Sequence, residues 1–430
     1  MTPDTHLIAQ GLESRLHEEL STFAEFGERT VVDAWRDGEL EVPVYVNEYW
    51  TSKQRQANSL HEVSYRACFK PQLPRFFIDR LTAPGDVVFD PFMGRGTTPI
   101  EAALSGRIPW GSDANPLAKR LAAPRLSPPS VAMVSDRLVE INGLCMAKFD
   151  SVGVVDDLLA FYHPNTLRLL CGLREYLLER ESSGELDAVD AWIRTVATNR
   201  LTGHSTGFFS VYTLPPNQAV SVERQARINT SREQTPPERD IFSIIEKKSR
   251  QLLRGLAPED RTALASVARE SRMETCSADS VAEHLPHETV SLVVTSPPFL
   301  DVVQYAQDNW LRCWFNGIES SEVAIWHCRK VEDWQARMRS VLEQCQRLLK
   351  PGGWIAFEVG EVRKGSVLLE EFVVRAGVQV GLSPVLLLIN QQDFTKTANC
   401  WGVRNNARGT NTNRIVLFRK TAGNNQLTAR

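Results

Sequence analysis

The sequence lacks paired cysteines, long apolar runs and an excess of basic charge, and each absence excludes a class of protein. None of its eight cysteines forms a Cys-x-x-Cys pair, so neither a zinc site nor a disulfide framework is indicated, and a reducing cytoplasm is the expected location. Cys276, His284 and His287 lack a fourth ligand nearby, so no metal site is predicted. No run approaches the ~18 apolar residues of a membrane span, and no signal peptide is visible.

The overall composition is that of a globular protein that is large for one domain. Of the 430 residues, 42% are hydrophobic and 23% are charged, which is ample for a core. This length predicts one large domain with an insertion, or two domains. The net charge of -3 means that any surface that binds nucleic acid must be local.

The segment Thr295-Ser296-Pro297-Pro298-Phe299 follows an apolar run, Val290 to Val294, that predicts a short buried strand. Two consecutive prolines cannot continue a strand, so the chain turns there. The Ser296 hydroxyl and the Pro297 carbonyl can accept hydrogen bonds from an exocyclic amine, and Phe299 can stack on the ring that carries it. The turn therefore suits a nucleobase amine; a proline-rich loop at a strand end is the alternative.

A second pattern, of strand, glycine turn and helix, runs from Val87 to Leu104. Its turn reads Asp-Pro-Phe-Met-Gly-Arg-Gly-Thr-Thr at residues 90–98. Such a turn lets the backbone approach a ligand closely. A dinucleotide-binding loop would carry a third glycine where Pro99 stands, and a Walker loop would carry Gly-Lys-Ser/Thr, which is absent. Hydride chemistry is therefore disfavoured.

The next predicted strand, Ile108 to Asp113, ends in an acid about twenty residues after the glycine turn. A carboxylate at that position can accept two ribose hydroxyls, as in other nucleoside-binding α/β folds. The alternative role for Asp113 is to cap the helix that follows.

The two turns together resemble the Asp-Pro-Phe-x-Gly-x-Gly-Thr and (Asp/Asn/Ser)-Pro-Pro-(Tyr/Phe/Trp) motifs of DNA amino-methyltransferases. These enzymes transfer a methyl group from S-adenosylmethionine to an amine of adenine or cytosine. The resemblance covers about residues 64–118 and 273–420. It implies that Asp90 binds the methionine ammonium, that the segment with Lys70 covers the methionine end, and that Asp279 accepts the adenine amine. The cofactor-binding residues expected are Lys70, Asp90, Phe92, Gly94, Gly96, Thr97, Asp113 and Asp279, and the catalytic residues expected are Ser296, Pro297, Pro298 and Phe299.

The resemblance implies an α/β fold: a doubly wound, Rossmann-like methyltransferase sheet with an antiparallel last strand and a helical insertion. We expect an N-terminal helical arm at 1–63, the cofactor-binding part at 64–120, the insertion at 121–270 and the catalytic part at 271–430. Basic residues between Arg224 and Arg254 predict that the insertion contacts DNA phosphates, although a solvated helical face is the alternative. The polar stretch Gln391 to Asn413 is interpreted as a groove-reading element or a flexible loop.

The predicted activity is methylation of the N4 amine of a cytosine flipped out of double-stranded DNA, because serine first and phenylalanine last in the motif resemble cytosine-N4 enzymes. An adenine-N6 enzyme is the first alternative. An RNA methyltransferase and a non-enzymatic nucleic-acid binder are the others. The expected partners are DNA and a possible cognate restriction endonuclease, with no membrane.

Overall fold

The computed structural model describes residues 3–26, 28–51, 57–63, 65, 69–213, 219–300, 305–323, 325–360, 362, 366–391 and 412–421. Nine strands form one sheet. The strands are β1 (Val31–Asp37), β2 (Leu40–Asn47), β3 (Val87–Asp90), β4 (Ile108–Asp113), β5 (Arg272–Thr275), β6 (Val290–Thr295), β7 (Leu349–Val359), β8 (Leu382–Gln391) and β9 (Thr412–Lys420). The helices are α1 (Pro3–Thr22), α2 (Gln72–Leu81), α3 (Thr97–Leu104), α4 (Pro116–Leu126), α5 (Val131–Ala147), α6 (Pro164–Ser182), α7 (Ala188–Thr198), α8 (Val222–Ser231), α9 (Ile241–Arg254), α10 (Pro258–Val267), α11 (Tyr305–Phe315), α12 (Val331–Leu348) and α13 (Leu369–Gln379).

The strand order is β1-β2-β8-β9-β7-β6-β3-β4-β5. Strands β5, β4, β3, β6 and β7 run parallel to one another, and β9 runs antiparallel between β7 and β8. The predicted doubly wound sheet with an antiparallel last strand is confirmed. Every residue of β3 and β6 is buried, as expected for parallel strands covered on both faces. The strand order reverses between β3 and β6, which is where open α/β sheets bind their ligands.

The predicted helical insertion lies between β4 and β5 and contains α4 to α10. The insertion shares a hydrophobic core with the sheet, because one hydrophobic cluster includes Phe89 and Val293 of the sheet together with Ile141 and Trp192 of the insertion. Side-chain caps begin several of its helices; Asp187, for example, accepts hydrogen bonds from the Val189 and Asp190 N–H groups at the start of α7.

Helix α4 continues past Pro124. A proline inside a helix removes the N–H that would bond the carbonyl four residues earlier. That carbonyl belongs to Arg120, and the Thr195 hydroxyl of α7 donates to it at 2.8 Å. A tertiary contact therefore satisfies the acceptor that Pro124 leaves open, and the helix runs on to Leu126.

The N-terminal region differs from the predicted helical arm. Helix α1 is present, but Val31 to Asn47 form a β-hairpin, and β2 pairs in parallel with β8. The hairpin turns at Gly38, whose φ of 61° is readily adopted by glycine. Val44 of β2 packs in the main core, and Tyr45 packs with Leu16 and Leu20 of α1 on the other side of the sheet. The hairpin thus extends the sheet rather than standing apart from it.

The last strand, β9, begins at Thr412 and ends at Lys420, so it includes the last two residues of the polar stretch from Gln391 to Asn413. Most of the polar stretch from Gln391 to Asn413 lies outside the described residues, so its proposed role in groove reading stays a prediction. Within the part of the chain that the structure describes, no helix is both long enough and apolar enough to cross a lipid bilayer.

Candidate active site

A cleft lies at the carboxyl ends of β3, β4 and β6, where the strand order reverses. Its empty volume is about 830 Å³, including space that opens to solvent. It brings together seven of the residues predicted from sequence: Asp90, Phe92, Gly94, Thr97, Asp113, Ser296 and Pro298. The glycine turn and the double-proline turn therefore face the same cavity, although almost two hundred residues separate them along the chain.

Asp90 ends β3 at the base of the cleft and is only 1% exposed. Its Oδ1 accepts hydrogen bonds from the Thr295 hydroxyl at 2.6 Å and from the Phe92 N–H at 3.0 Å. Burial raises the pKa of Asp90 to about 7, although these hydrogen bonds favour the carboxylate. A buried carboxylate without a cation among its described hydrogen-bond partners is suited to a positively charged ligand group.

Asp113 ends β4 on the other side of the glycine turn. Its Oδ2 accepts the Gly94 N–H at 3.0 Å, and its Oδ1 accepts the Asn115 N–H at 2.9 Å. Burial raises the pKa of Asp113 to about 6. The cap of α4 is Asn115, whose side chain accepts the Leu117 N–H. Asp113 therefore does not cap the helix, and its carboxylate lines the cleft as a candidate acceptor for ribose hydroxyls.

The two glycines of the turn have different surroundings. Gly94 lines the cleft with a φ of 48°. Gly96 has a φ of 79° and does not line the cleft; a Cβ there would lie 2.7 Å from the Cβ of Ala122 in α4. The sequence-based expectation of close approach to a ligand thus applies to Gly94, whereas Gly96 allows α3 and α4 to pack closely.

Replacing Gly96 with alanine is expected to destabilise the protein by ~2 kcal/mol or more. The left-handed backbone conformation at this position would be strained in alanine, and the added Cβ would also clash with Ala122. Gly85 is a matched control, because its φ is 86° but a Cβ there would meet nothing within 4 Å. Thermal denaturation should show a larger loss for Gly96→Ala than for Gly85→Ala. Equal losses would mean that strain alone, and not packing against α4, requires glycine at position 96.

Five of the predicted site residues, Lys70, Gly96, Asp279, Pro297 and Phe299, are not among those that line the cleft. Lys70 follows Phe69, which does line it, and burial lowers the pKa of Lys70. Asp279 accepts the Ser277 hydroxyl at 2.5 Å, just beyond the lining residues Ser277 and Ala278. Phe299 packs against the hydrophobic core. The ligand roles of these residues stay predictions.

Trp326 lines the cleft, but nothing in the sequence singled it out. Its ring centroid lies 6.0 Å from that of Phe92, with the rings 78° apart. The guanidinium of Arg337 lies 5.0 Å from the Trp326 ring centroid. This side chain comes from an irregular segment before α12 with no recognisable motif, so only the folded chain reveals it.

Arg95, between the two glycines, is a second residue that sequence reasoning missed. Its guanidinium donates to the carbonyls of Val63 and Phe69 at 2.9 and 3.3 Å and to the Thr97 hydroxyl at 3.1 Å. Arg95 therefore ties the segment before α2 to the glycine turn. Tyr65, from the same segment, also lines the cleft.

Among the described residues, no group of three or more His, Cys, Asp or Glu side chains could hold a metal ion. The cleft instead combines a buried carboxylate, Asp90, and a partly buried one, Asp113, with the aromatic rings of Phe92 and Trp326. Carboxylates suit an ammonium group and vicinal hydroxyls, and aromatic surface suits a nucleoside ring. The residues present therefore fit S-adenosylmethionine.

The comparison with protein families agrees with this chemistry. Residues 27–124 match the model of the N6_N4_Mtase family, described as DNA methylase. This match supports assignment to the S-adenosylmethionine-dependent amino-methyltransferases. The matched segment includes the β1–β2 hairpin as well as the glycine turn, so the similarity to this family begins before the region that the sequence motifs indicated. The cofactor is S-adenosylmethionine. No curated protein matches the chain.

Several solved structures are similar to parts of the chain. TrmN from Thermus thermophilus is 12% identical, with 83% of this chain and 50% of that chain covered and a TM-score of 0.31. A second Thermus thermophilus protein, provisionally described as a DNA modification methylase and complexed with S-adenosyl-L-methionine, is 24% identical over 34% of this chain and 54% of its own, with a TM-score of 0.22. Geranyl diphosphate C-methyltransferase from Streptomyces coelicolor is 8% identical over 81% and 78%, with a TM-score of 0.32.

The chain spans about half the length of the first two of these structures. Because all three TM-scores are low, these likenesses carry no weight in assigning a substrate.

Proposed function

We propose that this chain transfers a methyl group from S-adenosylmethionine to the N4 amine of a cytosine flipped out of duplex DNA. The observation that carries the proposal is the 2.6 Å hydrogen bond from the Thr295 hydroxyl to Asp90. It joins the residue before Ser296 to the carboxylate proposed to bind the cofactor ammonium, so the amine-binding turn and the cofactor-binding turn lie side by side on adjacent parallel strands.

The residues of the cleft would divide the work between cofactor and base. Asp90 would hold the methionine ammonium and Asp113 the ribose hydroxyls. Bound S-adenosylmethionine supplies a methyl group on a sulfonium, which is a good leaving group. Ser296 accepts a hydrogen of the target amine and thereby aims the nitrogen lone pair at the methyl carbon. Holding the reacting atoms in line replaces a collision in solution, which is the main contribution that such a site can make.

The Pro298 carbonyl accepts the Trp334 indole N–H at 2.8 Å. This bond to α12 fixes the double-proline turn from behind. It supports the proposal because a turn that orients an amine must itself be held rigidly. The stacking of Phe299 on the base and the hydrogen bond to the Pro297 carbonyl remain part of the proposal.

The insertion is proposed to contact DNA through α8 and α9. Four basic side chains of these two helices are exposed, namely Arg224, Arg227, Lys247 and Arg254. Two others are paired with acids of the protein, Lys248 with Glu62 and Arg250 with Glu246. The insertion reaches the catalytic part through Ala219, whose carbonyl accepts the Trp310 indole N–H of α11 at 3.2 Å. Exposed cations joined to the segment that follows the Ser-Pro-Pro-Phe turn are suited to DNA phosphates.

Adenine N6 is the second candidate target, because the matching family model includes both N6 and N4 enzymes. Mass spectrometry of nucleosides from the DNA of expressing cells separates the two. We expect N4-methylcytosine, which should disappear when Ser296→Ala replaces the native chain. N6-methyladenine without N4-methylcytosine would overturn the choice of base, and the absence of both would overturn DNA methylation.

A further inference from the structure

A buried carboxyl group lies directly behind Ser296. Glu358 is 5% exposed and stands near the end of β7, the strand that pairs in parallel with β6. The register pairs Thr295 with Phe357, so Ser296, which follows β6, and Glu358, the last residue but one of β7, lie at the same edge of the sheet. From the other side, the Asn413 side-chain amide of β9 donates to Glu358 Oε1 at 3.0 Å.

Burial raises the pKa of Glu358, while hydrogen bonds from Ser296 and Asn413 act in the opposite direction. No charged side chain is among these causes. Neighbouring elements carry the charged side chains Arg414 of β9 and Glu370 of α13, and these two pair with each other. Glu358 is therefore a carboxyl whose described polar contacts are one hydroxyl and one amide, and its affinity for a proton is greater than that of an exposed glutamate.

The direction of the hydrogen bond from Ser296 matters for the chemistry. A hydroxyl has one hydrogen to donate and two lone pairs that can accept. The β6–β7 register brings Ser296 next to Glu358, and a Ser296 hydroxyl that donates its hydrogen to that carboxylate, as the opposing effect on the Glu358 pKa indicates, keeps its lone pairs for a hydrogen from the cleft. Ser296 itself lines that cleft. The pair thus forms a continuous path from the cleft to a buried base.

We propose that Glu358 accepts, through the Ser296 hydroxyl, the proton that the target amine loses on methylation. The inference rests on the proposed function. The amine lone pair forms the N–C bond as the C–S bond breaks, and sulfur keeps that electron pair as a neutral thioether. The nitrogen, now positively charged, passes one proton to the Ser296 oxygen while the serine hydrogen passes to Glu358. The products are a neutral methylated amine, an unchanged serine and a protonated Glu358, which returns its proton to water after the base leaves.

The other acids of the cleft are less suited to this task. Asp90 is engaged by Thr295 and by the Phe92 N–H and would face the cofactor ammonium. Asp113 is held by two backbone N–H groups on the side of the cleft formed by β4. Glu358 is therefore a positioning residue and proton acceptor that acts through Ser296.

Glu358→Gln tests the inference, because it keeps the shape and removes the base. We expect S-adenosylmethionine affinity to stay within about twofold, and the single-turnover rate on DNA to fall ~100-fold or more, as for loss of a general base. In the native protein the rate should fall as the pH drops through the Glu358 pKa, since a protonated carboxyl cannot accept a proton. Glu358→Gln should lose this acid limb. Glu358→Asp should restore part of the rate together with the limb.

Asn413→Ala should shift the acid limb of the pH profile rather than remove it. The Asn413 N–H stabilises the Glu358 carboxylate, so its removal should raise the pKa of Glu358 and move the acid limb to higher pH. Glu370→Gln is the matched control, because Glu370 is also buried, at 4% exposed, and also has a raised pKa. This control should lower thermal stability through the loss of its Arg414 partner and leave the acid limb in place.

The outcomes separate this inference from the proposed function. If the native protein methylates DNA and Glu358→Gln matches it in rate and pH profile, the role of Glu358 is overturned and the function stands. If the native protein methylates no DNA, the proposed function is overturned. The inference is then decided by the titration of the Glu358 carboxyl in ¹³C NMR spectra, in which the Glu358 signal is identified by its absence from the spectrum of Glu358→Gln. Ser296→Ala should then raise the Glu358 pKa. An unchanged pKa would show that the two side chains are not coupled.

Discussion

Asp90→Asn is expected to weaken S-adenosylmethionine binding by roughly 30-fold to 1,000-fold, the loss that follows when one partner of a buried charge pair is removed. Asparagine keeps the size of the side chain and an oxygen that can accept from Thr295 and Phe92. The change therefore removes charge and little else. Isothermal titration of the purified protein with the cofactor measures the effect, and an unchanged affinity would contradict the assignment of Asp90 to the ammonium.

The same substitution should make the ligand-free protein more stable above pH 7. Because the pKa of Asp90 is raised to about 7, its contribution to folding is fully present below the unfolded pKa and is lost as the pH rises through about 7. Asparagine carries no charge at any pH, so at pH 8 we expect a gain of ~1–3 kcal/mol. Thermal denaturation at pH 5 and pH 8 should show a clearly larger gain at the higher pH, because the loss develops between the unfolded pKa and about pH 7.

Cofactor affinity should depend on pH in the opposite way. The ammonium requires the carboxylate form of Asp90, so affinity is highest above pH 7 and falls by up to ~tenfold for each pH unit below it. Asp86→Asn is a control near the other end of β3. Burial opposes ionisation of Asp86, but hydrogen bonds from Ala83, Lys350 and Ser291 leave its pKa lowered. Its replacement should cost stability and leave cofactor binding unchanged.

Ser296→Ala is expected to slow methyl transfer ~100-fold or more while S-adenosylmethionine affinity stays within about twofold. The loss is of the size found when a hydrogen-bonding group that is aimed at the reacting centre is removed. Single-turnover transfer of labelled methyl groups to DNA gives the rate, and isothermal titration gives the affinity. Parallel losses of both would mean that Ser296 supports the fold of the cleft rather than the reaction.

Ser291→Ala is the matched control for Ser296, since Ser291 lies on β6, the strand that Ser296 follows. Its hydroxyl donates to Asp86 at 2.6 Å, away from the cleft. Its loss should lower the melting temperature and leave the transfer rate unchanged. A drop in rate equal to that of Ser296→Ala would show that any weakening of β6 slows transfer.

The parts of the fold predicted from the sequence are those with strong local signals. The apolar runs of β3 and β6 predict buried parallel strands, and proline and glycine turns mark where they end. The hairpin at Val31–Asn47 was missed because charged residues, among them Arg36, Asp37 and Glu41, interrupt its alternation. Its place beside β8 depends on contacts with a strand more than three hundred residues away, which no local pattern reports.

The candidate site likewise contains residues that local sequence motifs identify and residues that only the tertiary fold brings together. Its motifs identified the residues at the ends of the central strands, but the Gly-x-Gly pattern does not reveal which glycine faces a ligand and which faces α4. Trp326 reaches the cleft through tertiary folding alone. Glu358 could have been identified from the sequence, since it is an acid within the apolar run Trp354 to Val359. An acid in a buried strand usually has a polar or charged partner.

The core shared by the sheet and the helices between β4 and β5 has a consequence for engineering. Trp192 and Ile141 belong to the same apolar cluster as Phe89, so excising or transplanting the 121–270 segment as a cassette would expose part of the core that contains β3. Target-sequence preference should therefore be altered one surface side chain at a time, beginning with exposed cations such as Arg224 and Arg227, while the inner faces of those helices are left intact.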